Sequence, residues 1–213
     1  MELPVKPEQI TGTYIGDFKG SPIAITLNYV GNGHASGYNV HRGLKRNISG
    51  TMEFTNGKLH ADLSEPGNNP YDGKFNLTID TTKWTGKGNW KPLKKGDEVN
   101  FTFQKRKNTG GEEMDPFSSI YMNDNENYIQ LYTDGSCIYS YLTDTTKTAQ
   151  SISIRGNYTM NKDSVVSVYW QKNDIFPSRQ STFKMKTEHP DDESDYAVKV
   201  LKGEGKKFTQ MMY

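Results

Sequence analysis

From Tyr14 to Phe103 apolar side chains recur at every second residue, in eight successive runs, and never at the three-to-four spacing of a helix. Such alternation sets one face of an extended strand into a core and the other into water, which no helical arrangement satisfies. The runs open with Tyr14, Gly16 and Phe18, then Ile23, Ile25, Leu27 and Tyr29, then Tyr38 and Val40. They continue with Ile48, Gly50, Met52 and Phe54, with Leu59, Ala61 and Leu63, and with Phe75, Leu77 and Ile79. Trp84, Gly86, Gly88 and Trp90, then Val99, Phe101 and Phe103, complete the set. The connectors are short and built from turn residues: Gly31-Asn32-Gly33, Arg42-Gly43, Asn56-Gly57 and Gly96-Asp97. Asn56-Gly57 is the strongest hairpin signal, because both residues tolerate the positive φ of a type I′ turn. Eight short strands joined in this way predict an antiparallel meander closing into a barrel over residues 11–107, which leaves no edge unpaired.

The alternation fails over residues 108–126, where Asn108-Thr109-Gly110-Gly111 marks a linker with room for a short helical turn behind it. Residues 1–10, with Pro4 and Pro7, read as an extended lead-in. From 127 to 213 the period of two resumes. Ile129 and Leu131 precede an Asp134-Gly135 turn, and Cys137, Tyr139 and Tyr141 return from it. Ile152, Ile154, Gly156, Tyr158 and Met160 follow, then Val166, Val168 and Trp170, then Phe183 and Met185, Val198 and Val200, and Phe208 onward. The expected fold class is therefore all-β: an eight-stranded barrel and then a second, smaller β-barrel or half-open sheet. A length of 213 residues suits two such domains. A weak internal repeat supports the pairing: Ile48-Ser49-Gly50 and Ile154-Arg155-Gly156 each lead through a strand to a turn and a further apolar run.

Charge and motifs exclude more than they name. With 26 basic and 25 acidic residues the chain has no net field to draw nucleic acid or an anionic membrane. No apolar stretch approaches the roughly 20 residues of a membrane-spanning helix. One cysteine, Cys137, rules out an intramolecular disulfide and reads as an inert, half-buried thiol. His34, His41, His60 and His189 share no metal-ligand spacing and read as structural or surface groups. Nucleophile elbows, phosphate loops and dinucleotide fingerprints are missing. Carboxylates such as Asp62 with Glu65, or Asp72 with Asp80, fall where strands meet turns and read as solvated acids. No catalytic residue, metal or cofactor is expected.

Gly12-Thr13-Tyr14-Ile15-Gly16, Ile23-Ala24-Ile25-Thr26-Leu27, Gly37-Tyr38, Gly73-Lys74-Phe75 and Trp84-Thr85-Gly86 resemble the lipocalin-like, calycin-type small barrels of Bacteroides-type bacteria. Tyr132-Thr133-Asp134-Gly135 and Gly156-Asn157-Tyr158 are similar to related lipocalin-like domains. The resemblance implies secreted or lipid-anchored barrels, at the cell surface or in the periplasm, with the export segment missing from the start of this chain. Gly12-Thr13-Tyr14 and the tryptophans are faintly similar to avidin-type barrels, but Tyr14 and Asp17 stand where avidins carry Trp and Asn, which sets biotin aside.

The expected inward set of Tyr14, Phe18, Tyr29, Tyr38, Phe54, Phe75, Trp84, Trp90, Phe101 and Phe103 would fill an eight-stranded lumen, since each aromatic buries about 150–250 Å². A site is then expected at the rim, near Trp84, Trp90 and Tyr71. The reading that follows is a noncatalytic protein that binds a surface protein or glycan through its loops. The alternatives are a carrier of a small apolar or sugar-like ligand and an enzyme acting on glycans.

Overall fold

The computed structural model describes residues 5–106, 120–143, 150–189 and 197–211. They form two compact units, the first of residues up to 41 and from 45 to 108, the second of residues 42–44 and from 109 onward. Each unit is a closed antiparallel barrel of eight strands. The first comprises β1 (Gly12–Asp17), β2 (Pro22–Gly31), β3 (His34–His41), β4 (Leu44–Thr55), β5 (Lys58–Ser64), β6 (Gly73–Asp80), β7 (Thr85–Pro92) and β8 (Val99–Lys105). The second comprises β9 (Ile120–Met122), β10 (Tyr128–Leu131), β11 (Ser136–Leu142), β12 (Ser151–Met160), β13 (Val165–Trp170), β14 (Gln180–Glu188), β15 (Val198–Gly203) and β16 (Lys206–Gln210). In both, each strand pairs with its sequence neighbours and the first strand also pairs with the last. Gly16 faces Phe103 across one seam, and Tyr121 faces Gln210 across the other.

The all-β class read from the alternation is what the chain adopts, and the second sheet is closed. The second barrel starts earlier than residue 127, because β9 lies inside the stretch that reads as linker. Three residues are too few for alternation to register. The repeat noted in the sequence falls on β4 and β12, the fourth strand of each barrel. The acidic run at 191–193 and the glycines at 110 and 111 lie outside the described residues.

Because consecutive strands reverse direction, the connections of the first barrel gather at two ends. One end holds the Asn32-Gly33 and Asn56-Gly57 turns and residues 81–84. At Asn56-Gly57 the φ values are 53° and 77°, as a type I′ turn requires. A short helix α1 (Pro7–Ile10) sits across this end, so the lead-in is not extended throughout. Pro7 occupies the first turn, where its fixed φ fits and its missing N–H costs nothing. Ile10 is buried, and the Tyr14 hydroxyl donates to its carbonyl at 2.6 Å. Burial pushes the Tyr14 phenol far above its ordinary pKa. The opposite end, which holds residues 18–21, 65–72 and 93–98, is the mouth.

The first core combines Ile23, Ile25 and Leu27 of β2, Leu59, Ala61 and Leu63 of β5, Phe75, Leu77 and Ile79 of β6, and Phe101 and Phe103 of β8. Gly88 and Gly86 give up their own side-chain space to the Phe101 and Phe103 rings. Two expected inward residues are not inward. A register shift between Leu27 and Tyr29 turns β2 over, so that Val30 is buried and Tyr29 is 50% exposed. On β3, Asn39 pairs with inward Ile25 and His41 with inward Ile23, which sends Tyr38 outward, where the Lys45 amino group lies 3.6 Å from its ring centre.

The second core holds Tyr121, Ile129, Tyr139, Tyr158, Val166, Val168, Trp170, Phe183 and Phe208. Phe176, from the connection after β13, stacks on Trp170 at 4.9 Å and 10°. Cys137 is fully buried, not half-buried, with burial pushing its thiol well above the ordinary range.

Candidate functional site

Trp84, Trp90 and Tyr71 do not converge. Trp84 precedes β7 and Trp90 stands near its far end, six residues on, or about 20 Å at strand rise. Trp84 belongs to the closed end, where the Lys105 amino group lies 4.8 Å from its ring centre and donates to the Gln9 carbonyl. The turn before it is set by Asp80, which accepts the Thr82 and Lys83 amides at 2.9 and 3.1 Å. Those backbone hydrogen bonds, Lys83 first, lower the Asp80 pKa. Trp90 and Tyr71 are both at the mouth.

Beneath the mouth lies a polar layer that the sequence reading missed. Leu59, Ala61 and Leu63 face the core, and two residues on the same parity brings Glu65 inward just past the end of β5. Glu65 is 5% exposed. One oxygen accepts from the Asn39 amide at 2.8 Å, and the other from the Gly73 N–H at 2.5 Å and the Trp90 indole at 3.3 Å. Gly73 has to be glycine here, because a Cβ would occupy the place of the Trp90 indole nitrogen. The carboxylate so joins β3, β6 and β7 through donors that carry no charge.

Asp72 lies beside this layer at 1% exposure. One of its oxygens accepts the Gly67 and Asn69 amides at 2.9 and 3.0 Å, and the other meets Arg46 Nε of β4 at 3.1 Å. The expectation of solvated acids is therefore wrong for Glu65 and Asp72, whereas Asp62 stays exposed. The two buried acids are the ones that flank the connection 65–72. That connection is stitched from within: the Tyr71 amide donates to the Asn69 side chain at 3.0 Å and the Asp72 amide to the Asn69 carbonyl at 3.1 Å. On its surface Tyr71 is 71% exposed, and Leu93, whose amide donates to the Asp72 carbonyl at 2.9 Å, is also exposed.

A third group closes the mouth from the other side. Phe18 packs on His41 at 4.9 Å, on Trp90 at 5.7 Å and on Phe101 at 5.6 Å. His41 Nε2 lies 2.7 Å from Ser21 Oγ, which also lies 3.2 Å from the Phe18 carbonyl. A hydroxyl has one proton and a carbonyl only accepts. Both contacts are satisfied together when Ser21 donates to Phe18 and His41 Nε2 donates to Ser21. In that arrangement the pair pins the turn between β1 and β2.

Each carboxylate oxygen of Glu65 and Asp72 already accepts from a protein donor. The layer is therefore suited to fixing the loops above it. Among the described residues no group of three or more His, Cys, Asp or Glu side chains gathers as a metal site would need. No helix among them is long and apolar enough to cross a membrane. No family model matches the chain, and comparisons with curated proteins and with solved structures find no match.

Proposed function

We propose that the protein is a noncatalytic recognition module that binds a glycan through the mouth of its first barrel. The observation that carries this reading is Tyr71: a ring 71% exposed, on a loop whose far side is held by a carboxylate 1% exposed. An exposed aromatic on a mobile loop loses entropy when it binds, whereas one on a fixed loop keeps more of the contact energy as affinity. A flat exposed ring on a loop rich in polar groups, with Leu93 also exposed at the mouth, suits the alternating apolar and hydroxylated faces of a sugar. The lipocalin-like resemblance belongs to the same proposal, as does action at the cell surface or in the periplasm, which rests on that resemblance alone.

The test is an array of oligosaccharides probed with the full chain, each hit then titrated calorimetrically. Tyr71→Ala is expected to weaken a true hit at least tenfold with no change in melting temperature, since the ring supports nothing beneath it. A hit that Tyr71→Ala leaves untouched rejects the mouth as the site. An array without hits moves the proposal from glycan to protein partner.

A further inference from the structure

The second barrel carries a groove on the outer face of its wall. It has a volume of about 310 Å³ and is lined by Met122, Glu126, Tyr128, Tyr141, Leu142 and the serines 140 and 151. That volume is at the lower bound for small-molecule sites, about 300 Å³.

The placement follows from register. Tyr128 pairs with Met122 on one side and Ser140 on the other, so these three form a row across β9, β10 and β11, and Leu142 pairs with Ser151 in the next. Ser140 is buried and its hydroxyl lies 2.7 Å from that of Ser151, which makes a polar floor. Tyr141 stacks on Tyr139 at 5.8 Å and packs against the core, so its ring lies on the inner side of β11 and Tyr128 is the phenol of the outer face. Glu126 comes from the turn between β9 and β10. That turn is fixed by the Asn123 side chain, which accepts the Asn125 and Asn127 amides at 3.1 and 3.0 Å. Glu126 itself is held at φ 60°.

Glu126 is the one formally charged residue of the lining, and among the described residues no ion pair includes it. The walls on the outer face are a thioether, an isobutyl group and one phenol ring, that of Tyr128. A cation is attracted both by the carboxylate and by the faces of tyrosine rings, and an apolar body matches Met122 and Leu142. We infer that this groove binds a small organic cation, an ammonium group carried on an aromatic or alkyl body. The site is separate from the first mouth and does not rest on the glycan reading.

The probes are 2-phenylethylammonium, its uncharged counterpart 2-phenylethanol and the anionic 3-phenylpropanoate, each titrated into the full chain. Binding is followed through the methyl signal of Met122 in methionine-labelled protein, assigned by Met122→Leu. The ammonium is expected to shift and saturate that signal at least tenfold below the alcohol, with the carboxylate weakest. Glu126→Gln is expected to bring the ammonium to the affinity of the alcohol and to leave the alcohol unchanged. Glu126→Asn, a residue that tolerates positive φ more readily, repeats the charge removal on an unstrained turn. Equal binding of the three probes, ammonium binding that survives both substitutions, or no shift up to 10 mM overturns the inference.

Discussion

Asp72 ties the mouth loop to β4. It neutralises Arg46 and holds two amides of the mouth loop from a position closed to water. Removing one partner of a buried ion pair leaves the other uncompensated, which costs about 3–5 kcal/mol. Asp72→Ala is expected to lose that much in urea unfolding and to open residues 66–71 to limited proteolysis. Asp72→Asn keeps an acceptor for the two amides, so it should lose stability while the loop stays resistant. Had the carboxylate served only as a solvated surface acid, both variants would unfold within about 0.5 kcal/mol of the parent, as ordinary surface substitutions do.

At the scale of strands and turns, the legible parts were those in which apolar residues carry the signal. Leu59, Ala61 and Leu63, or Phe75, Leu77 and Ile79, alternate without interruption and face the core as read. Asn56-Gly57 makes the turn its chemistry dictates. Reading failed where the inward residue is polar. On β3 the eye follows Tyr38 and Val40, yet Gly37, Asn39 and His41 carry the inward parity, and only the partner strand reveals it. On β2 one bulged residue inverted Tyr29, and alternation has no means to show a bulge. The polar layer at the mouth was hard to read for the same reason: the parity of Leu59, Ala61 and Leu63 runs on to Glu65, but its donor Asn39 lies 26 residues away, on a strand whose inward residues are polar. Among the connected strands, Glu188 at the end of β14 meets Lys202 at 2.5 Å and Lys207 at 2.9 Å. The hydrogen bond from Lys202, then that from Lys207, lowers its pKa. A carboxyl with a depressed folded-state pKa adds stability that is complete above the unfolded value, about 4.3, and is lost as pH falls through the folded value. Glu188→Gln is therefore expected to lower the melting temperature slightly at pH 7 and to flatten its fall below about pH 4.5, approaching the parent curve in acid. A parallel displacement of the two curves at every pH would show that the ion pairs are not its origin.

The whole molecule depends on closure, since an open eight-stranded sheet would present two bare edges and invite strands from other chains. In the first barrel the seam rests on close approach: a Cβ at Gly16 would lie 2.7 Å from the Thr102 carbonyl and 3.1 Å from the rings and Cβ of β8. Gly16→Val is expected to destabilise by more than the about 1–3 kcal/mol of ordinary overpacking, because it displaces backbone as well as side chains. It should also convert a monodisperse species into one that scatters light and binds thioflavin. Valine has better strand propensity than glycine, so a stabilised, non-aggregating Gly16→Val would mean that closure is looser than the register implies. The seams have one more consequence. Since the first and last strands of each barrel lie side by side, each unit begins and ends at the same place on its own wall. Such a unit can be spliced after another, or re-cut at Asn56-Gly57 with its old ends ligated, without stretching any part of the chain. Two in succession on one polypeptide is the arrangement that this geometry makes cheapest to assemble.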